Sequence, residues 1–144
     1  MESNKGADAV HSPLTHGIDH VGLTVRDCAV SSNFFCECLG WKLVGENASY
    51  PAKFVSDGTI RLTLWQVQNP ANCRAFDRKS TIGLHHLAFK ATDLDNLRAV
   101  YARIAEWPGV VIEFAPELSG SGPKWHCMFL EPGGNRIEIA YDPR

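Results

Sequence analysis

A histidine recurs with its whole neighbourhood in the two halves of the chain. Residues 17–27 (GIDHVGLTVRD) reappear as residues 83–93 (GLHHLAFKATD), so that His20 in the first copy corresponds to His86 in the second. The glycine, the histidine, the apolar positions and the closing aspartate all keep their spacing. Imidazole is a common protein ligand of transition metals. The repeat therefore predicts a duplicated fold and two imidazoles that can converge on a metal ion where the copies meet.

Alternation along the two strands indicates which histidine of the second copy faces the metal. Successive side chains of a strand point to opposite faces. His20 falls on the face opposite the apolar Val21 and Leu23. By the same count His86 matches His20, whereas its neighbour His85 shares the apolar face. We therefore expect His86 to face the polar, concave side and His85 to pack or give support at the end of the strand.

The last strand of the sequence supplies a carboxylate. Glu138 lies between two isoleucines, and the matching strand of the first half places Arg61 at the equivalent position. Two imidazoles and one carboxylate are the donor set of iron(II) sites with open positions, and manganese, nickel, cobalt or zinc can also be held. We predict that His20, His86 and Glu138 bind such a divalent ion. A substrate with two adjacent oxygens would chelate the ion, which acts as a Lewis acid.

Arg61 separates this prediction from a metal-free alternative. An arginine about 5 Å from a metal ion is repelled by roughly 3 kcal/mol per unit charge at an effective dielectric near 20. Arg61 is therefore expected either to turn aside and bind an anionic part of the substrate, or to neutralise Glu138 in a metal-free protein. In the second case the scaffold is a ligand-binding cup whose histidines are satisfied by hydrogen bonds.

Three further residues are candidates for the chemistry and for substrate binding. His126 is a general acid or base, catalytic together with Glu138, if its side chain faces the cup; otherwise it is a surface histidine. Thr63 and Trp65 are expected to bind substrate together with Arg61, since an aromatic residue in such a cup suits a ring-containing substrate. Ordinary structural packing is the alternative for both.

The composition excludes several classes of protein. The 144 residues are 44% hydrophobic and 21% charged, as in a soluble globular protein. A net charge of −2 offers no basic face to nucleic acid or to a membrane. No apolar run approaches the ~20 residues that a membrane span needs. The polar N-terminus lacks the core of a signal peptide, and five cysteines without a CxxC pair indicate a reducing compartment, so we expect a cytoplasmic protein.

Each half of the chain has the pattern of a βαβββ module, which predicts an α+β fold. The chain divides into a flexible tail (1–15), a first module (16–68), a linker (69–81) and a second module (82–144). A half of roughly 65 residues holds a poor core alone, so the modules must pack together into one structural domain, within a chain or between two chains. We therefore expect a homodimer. The predicted strands are 18–25, 41–46, 52–56, 59–67, 84–91, 110–115, 124–130 and 136–141, and the predicted helices are 29–39 and about 94–106.

Four motifs resemble the vicinal oxygen chelate superfamily of glyoxalases, bleomycin resistance proteins and extradiol dioxygenases. They are Ile18–Val21, Phe34–Phe35 with Leu39–Trp41, Leu84–Phe89 and Glu131–Glu138, and the resemblance extends from about residue 17 to residue 141. It implies two βαβββ modules that form a cup-shaped mixed sheet, the glyoxalase/bleomycin resistance/dihydroxybiphenyl dioxygenase fold. It also implies a divalent metal bound within the cup, and it places Glu138 at the family's C-terminal metal glutamate.

The chain departs from two branches of this superfamily. Glyoxalase I enzymes resembling this fold use a fourth ligand, a carboxylate of the first module, and Arg61 stands at that position. Dioxygenases of the family carry a tyrosine four residues before the turn proline, where this chain has Met128. We expect a metal-dependent enzyme with lyase or isomerase, dioxygenase or thiol transferase chemistry. The alternative is a non-catalytic protein that sequesters a drug or metabolite, like the bleomycin resistance proteins.

Overall fold

Two four-stranded mixed sheets, one from each half of the chain, form the fold in the computed structural model, which describes residues 12–144. The first sheet has the strand order β1-β4-β3-β2 and the second β5-β8-β7-β6, with the first and last strand of each module parallel and adjacent. This architecture confirms the predicted α+β fold. The tail lies, up to residue 11, outside the described residues. The strands are β1 (Val21–Val25), β2 (Lys42–Asn47), β3 (Ala52–Ser56), β4 (Arg61–Gln66), β5 (Leu87–Lys90), β6 (Val111–Leu118), β7 (Trp125–Leu130) and β8 (Arg136–Tyr141).

Each module carries one principal helix, and an aspartate begins it. The helix α1 (Cys28–Asn33) starts at Asp27, whose carboxylate accepts two backbone N–H groups of the first turn, and it continues as a π-helical turn over Phe34–Cys38. The helix α2 (Leu94–Ala105) starts at Asp93, which accepts the N–H of Asn96 at 2.7 Å. These side chains satisfy backbone donors that have no partner within a helix. Both helices lie where the sequence predicts them.

The hydrophobic core is continuous between the two modules. Phe34, at the end of α1, packs against Phe129 of the second sheet with ring centroids 5.8 Å apart. Phe35 and Trp41 both pack against Phe89 of β5, at 6.4 and 5.0 Å. The first helix and the segment after it therefore cover the apolar face of the second sheet, which makes the chain one structural unit.

A buried carboxylate ties the last turn of the second module to the first module. Glu131 is 1% exposed and accepts hydrogen bonds from the Ser31 hydroxyl at 2.6 Å and from the Gly133 N–H at 2.7 Å. In the same turn, the Asn135 side-chain amide donates to the carbonyl of Thr24 at 3.1 Å. These contacts hold the start of β8, the strand that carries Glu138, against the first module.

The two repeated histidines stand immediately before their strands. β1 and β5 begin at Val21 and Leu87, later than predicted, and their first partners in the parallel ladders are Leu62 and Ile137. Residues 18–20 and 84–86, which precede the two strands, are exposed.

Two further expectations can be compared with the structure. All five cysteines are free thiols in the structure. No helix among residues 12–144 is long and apolar enough to span a membrane.

Candidate metal centre

Glu138 lies between two imidazoles on one face of the second sheet. Its side chain is only 7% exposed, and His86 Nε2 lies 3.2 Å from Oε2. His126 Nδ1 lies 2.8 Å from the other oxygen, Oε1. β7 presents His126 on the face of Glu138, where its ring packs against Phe114 with centroids 4.9 Å apart. Of the sequence candidates, the fold thus brings together His86, His126 and Glu138.

His20 stands apart from this group within one chain. Its side chain is 53% exposed, and its Nδ1 contacts the carboxylate of Asp19 at 2.6 Å. In the described part of the chain, no ion pair or hydrogen bond joins His20 to His86 or Glu138. Over residues 12–144, no group of three or more histidine, cysteine, aspartate or glutamate side chains is arranged to hold a metal ion. A single chain therefore supplies only part of the predicted donor set.

The strand registers correct the position that the sequence gave to Arg61. Gly22 of β1 pairs with Thr63, and Ala88, its equivalent in β5, pairs with Glu138. Thr63 is therefore the counterpart of Glu138, and the counterpart of Arg61 is Arg136. The sequence-based equivalence of Arg61 and Glu138 was wrong by two residues. The fourth position of the duplicated scaffold holds a neutral hydroxyl, so no cation stands there to repel a bound metal.

The side chain of Arg61 turns aside from Glu138. Its guanidinium lies over the ring of Phe54, 5.0 Å from the centroid, in cation–π geometry. Arg61 does not contact Glu138, so the metal-free arrangement with an Arg61–Glu138 pair is not the one observed. Its counterpart Arg136 instead forms a bidentate pair with Glu113, at 2.7 and 2.8 Å. The guanidinium of Arg61 remains exposed on its strand.

The side chains of Thr63 and Trp65 are hydrogen-bonded to each other on one face of the first sheet. It is the face to which the alternation along β1 assigns His20. Trp65 Nε1 donates to Thr63 Oγ1 at 2.9 Å, and the hydroxyl is buried. A Cβ at Gly22 would lie 3.2 Å from that oxygen, so glycine leaves room for this bond. The rings of Tyr50 and Phe54 flank Trp65 with centroids at 5.0 and 5.7 Å. We call these three rings the aromatic face.

A chain of polar contacts behind His86 was not predicted. His85 Nδ1 lies 2.8 Å from His86 Nδ1, and Arg136 places a terminal guanidinium nitrogen 3.3 Å from the same His85 atom. Loss of hydration, and then the charge of Arg136, lower the pKa of His85. The hydrogen bond from Arg136 lowers the pKa of Glu113. The one sequence signal for these contacts was the recurrence of arginine at the equivalent positions 61 and 136. The incorrect alignment of β4 with β8 concealed it.

The donors at Glu138 suit a divalent transition-metal ion in chemistry and spacing. Imidazole nitrogen and carboxylate oxygen are both ligands of iron, zinc and manganese. Ligands at about 2.1 Å from one ion, and at right angles, are about 3 Å apart. The separation of His86 Nε2 and Glu138 Oε2, 3.2 Å, fits that value. These two residues can therefore share one ion.

Paired βαβββ sheets with a carboxylate and imidazoles on one face define a class of proteins built by module duplication. A family model described as the Glyoxalase/Bleomycin resistance protein/Dioxygenase superfamily matches residues 17–139. The chain therefore belongs to this superfamily, as the motifs indicate.

Individual relatives are distant. The chain is 28% identical over 131 residues to the catechol-2,3-dioxygenase of Bacillus subtilis (strain 168), covering 88% of this chain but 43% of that protein. It thus spans less than half the length of this relative. A glyoxalase/bleomycin resistance protein/dioxygenase domain from Frankia sp. EAN1pec superposes with a TM-score of 0.76 at 23% identity, covering 90% and 94% of the two chains. A lactoylglutathione lyase from Agrobacterium tumefaciens gives 0.67 at 18% identity, covering 90% and 96%.

Proposed function

We propose that this protein is a divalent-metal-dependent enzyme that acts on a small molecule with two adjacent oxygens. The observation that carries the proposal is the nearly buried carboxylate of Glu138, with His86 Nε2 at 3.2 Å and His126 at 2.8 Å. A carboxylate placed between imidazoles in a protein of this superfamily is suited to hold a cation. When bound, that cation would supply Lewis acidity to the oxygens of the substrate.

We propose further that the third ligand, His20, comes from a second copy of the chain. The residues two positions before each repeated histidine, Ile18 and Leu84, are 68% and 48% exposed, and Ile82 is fully exposed. Large apolar side chains clustered beside candidate ligands are typical of a surface that a partner covers. A homodimer with twofold symmetry would bring His20 of each copy to the His86–Glu138 pair of the other.

We propose two roles for His126 in this site. A carboxylate only accepts hydrogen bonds, so the proton of the His126–Glu138 contact is on Nδ1, and this bond orients Glu138. With the proton on Nδ1, the lone pair of a neutral imidazole is on Nε2. We propose that this atom takes a proton from the substrate, as the general base of the reaction.

The aromatic face and Arg61 support a ring-containing substrate. A planar ring can pack against Trp65 and Tyr50, while the exposed guanidinium of Arg61 can pair with an anionic oxygen. Catechol has two adjacent oxygens on an aromatic ring, and the name of the Bacillus subtilis relative points to the same compound. We therefore propose a catechol-like substrate class. Met128, at the place of the dioxygenase tyrosine, leaves lyase and thiol transferase chemistry as the other candidates.

Metal content tests the proposal directly. Protein purified without chelators, and then supplied with iron, manganese, nickel, cobalt or zinc, should contain stoichiometric metal by elemental analysis. Glu138→Ala should remove it. Glu117→Ala is the matched control, because Glu117 is an exposed carboxylate on β6 of the same sheet with no ion pair among the described residues. Wild-type protein that takes up none of these metals would rule out the metalloenzyme.

The competing function is sequestration of a drug or metabolite without chemistry. Catechol binding, measured by isothermal titration calorimetry, distinguishes the two. An enzyme that chelates its substrate through a metal should lose affinity for catechol in Glu138→Ala and His20→Ala. A sequestering protein that binds through the aromatic face should keep its affinity in both variants and lose it in Trp65→Leu.

A further inference from the structure

Lys90, the last residue of β5, lies on the same face of the second sheet as Glu138. Alternate positions of a strand share a face, so Lys90 lies with Ala88, which is the ladder partner of Glu138. Phe89, between these two residues, packs into the core against Phe35. The core contact of Phe89 therefore agrees with the register, and it leaves the exposed side chain of Lys90 on the face of Glu138.

Lys90 and His126 stand in one row across this face, with an alanine between them. Ala140 of β8 is the ladder partner of both residues. Neighbouring strands are about 4.8 Å apart, so the backbones at Lys90 and His126 are separated by roughly 10 Å. In the adjacent row, Ala88 stands beside Glu138. The two alanine side chains are short, and they form an open floor, here called the alanine floor, that is bordered by Glu138, His126 and Lys90.

The ammonium group of Lys90 has no acidic partner within residues 12–144. Besides histidine, the four strands of the second sheet contain two cationic residues, Lys90 and Arg136. Arg136 is neutralised by its bidentate pair with Glu113. Glu117 stands in the same row as Lys90 but on β6, at the opposite edge of the sheet. Lys90 therefore presents an unneutralised charge beside the alanine floor.

A free cation on this face favours a ligand that carries a negative charge. Like charges repel, so a neutral ligand would leave the ammonium group and a divalent ion at Glu138 without an anion between them. A ligand that chelates the ion through one edge of an aromatic ring extends over the alanine floor. A carboxylate on the opposite edge of that ring would then point toward Lys90. A lysine carries its charge on a flexible four-carbon stem, so it can adjust to the position of this carboxylate.

We propose that Lys90 is a specificity-determining residue that binds the carboxylate of a catechol-like substrate. The inference rests on the proposed function, and it narrows the substrate class to catechols that carry a carboxylate on the ring, such as 3,4-dihydroxybenzoate. Lys90 belongs to the same module as Glu138 and His126, so this contact does not require the second copy of the chain. Arg61, which lies over Phe54 on the first sheet, is the competing cation.

Isothermal titration calorimetry with three ligands tests this pairing of charges. Protein supplied with Co²⁺ is titrated with 3,4-dihydroxybenzoate, with its methyl ester and with catechol. The ester keeps the ring and both adjacent oxygens but has no negative charge on the carboxyl group. We expect the wild type to bind the acid about tenfold more tightly than the ester, as for a hydrogen bond between charged groups. Lys90→Gln should remove most of this preference by weakening the binding of the acid.

Three further variants complete the comparison. Lys90→Arg keeps the positive charge and should keep a preference for the acid. Lys79→Gln is the matched control, because Lys79 is an exposed lysine of the linker, and the preference should be unchanged. Arg61→Gln removes the competing cation and should also leave the preference in place. Circular dichroism and thermal unfolding establish that each variant is folded, and an exposed residue at the end of an edge strand tolerates substitution well.

The outcomes separate this inference from the proposed function. A preference for the acid that survives in Lys90→Gln, or that is lost in Arg61→Gln instead, would overturn the role of Lys90 even if Glu138→Ala loses catechol binding. Equal losses for all three ligands in Lys90→Gln would overturn it as well. A preference that depends on Lys90, in a protein whose catechol affinity is unchanged in Glu138→Ala, would overturn the metalloenzyme and support Lys90 as the anion-binding residue. A wild type that prefers the ester, or that binds none of the three ligands, would overturn the carboxylated substrate class.

Discussion

Thr63 in the first sheet and Glu138 in the second occupy the same place in the duplicated scaffold. Each lies opposite the second residue of its module's first strand, Gly22 or Ala88, and each is 5% exposed. Glu138 contacts two imidazoles, whereas the Thr63 hydroxyl accepts the indole N–H of Trp65. At this position the second module presents a carboxylate to two imidazoles, and the first module orients an aromatic ring.

Removal of the Thr63 hydroxyl should release Trp65. Thr63→Val keeps the shape of the side chain but leaves the indole N–H without its acceptor, and we expect a loss of about 1–2 kcal/mol in the free energy of unfolding. Urea unfolding measures the loss, and the indole ¹H–¹⁵N signal of Trp65 should move. Thr59→Val, at an exposed position, is the control and should stay within about 0.5 kcal/mol. Equal stabilities for the two variants would contradict the role given to this bond.

Sequence reasoning succeeded where a local signal was available. Asp27 and Asp93 mark the helix starts, and alternation correctly selected His86 over His85 as the side chain that faces Glu138. It failed at Arg61 because an apolar–charged–apolar triplet around that residue imitates the one around Glu138. A shift of two residues leaves the alternation of faces unchanged, so the hydrophobic pattern cannot detect it. Only the hydrogen-bonded pairing of strands reveals the error.

The contact between His85 and Arg136 was beyond sequence reasoning for another reason. Glu113, which holds Arg136, lies on β6, and β7 separates β6 from β8 in the sheet. Long side chains that meet across an intervening strand leave no periodic pattern. His20 illustrates a third limit, because repeat symmetry identifies equivalent residues and does not tell whether they meet in one chain or between two.

The buried bond between Ser31 and Glu131 should contribute to the stability of the whole chain. Ser31 is fully buried, and its hydroxyl is one of the donors to the Glu131 carboxylate. Ser31→Ala should lower the free energy of unfolding by about 1–3 kcal/mol, as for other buried hydrogen bonds to charged groups. Ser49→Ala, at an exposed serine, is the matched control in urea unfolding.

The contact between Ser31 and Glu131 also predicts the effect of a methyl group at Gly133. A Cβ there would come within 2.6 Å of Glu131 Oε1 and would also meet the Ser31 hydroxyl, and neither group can move freely. Gly133→Ala should cost about 1–3 kcal/mol through this overpacking. Combined with Ser31→Ala it should cost less than the sum of the two, because they disturb one contact. Additive losses would show that the two substitutions do not act through the same Ser31–Glu131 contact.

The Glu113–Arg136 pair should stabilise the protein in a pH-dependent way. The hydrogen bond from Arg136 lowers the pKa of Glu113 in the folded state, so the unfolded chain binds the proton more tightly. The stabilisation is therefore complete above the ordinary carboxyl pKa of about 4.3 and disappears as the pH falls through the lowered value. The stability difference between wild type and Glu113→Gln should shrink from pH 6 toward pH 3. Glu117→Gln, on the same strand, should show no such trend.

Burial should protect one cysteine from alkylation. Loss of hydration raises the pKa of the Cys127 thiol to about 11, and the side chain is fully buried. At pH 8 its thiolate fraction is on the order of one in a thousand, before burial limits access further. Peptide mass spectrometry after brief iodoacetamide treatment should find half-buried Cys73 modified first and Cys127 last. Guanidinium-denatured protein, in which all five thiols react, is the control, and early modification of Cys127 would contradict its burial.

Subunit mixing can show whether His20 and Glu138 of the same site belong to different copies. His20→Ala and Glu138→Ala each break every site in their own homodimers. In a heterodimer of the two, a site built between copies is intact once, since wild-type His20 meets wild-type Glu138. Random exchange makes half the dimers mixed, so Co²⁺ binding should return to about a quarter of the wild-type level. Sites contained within single chains would stay broken in every mixture, and no recovery would then be seen.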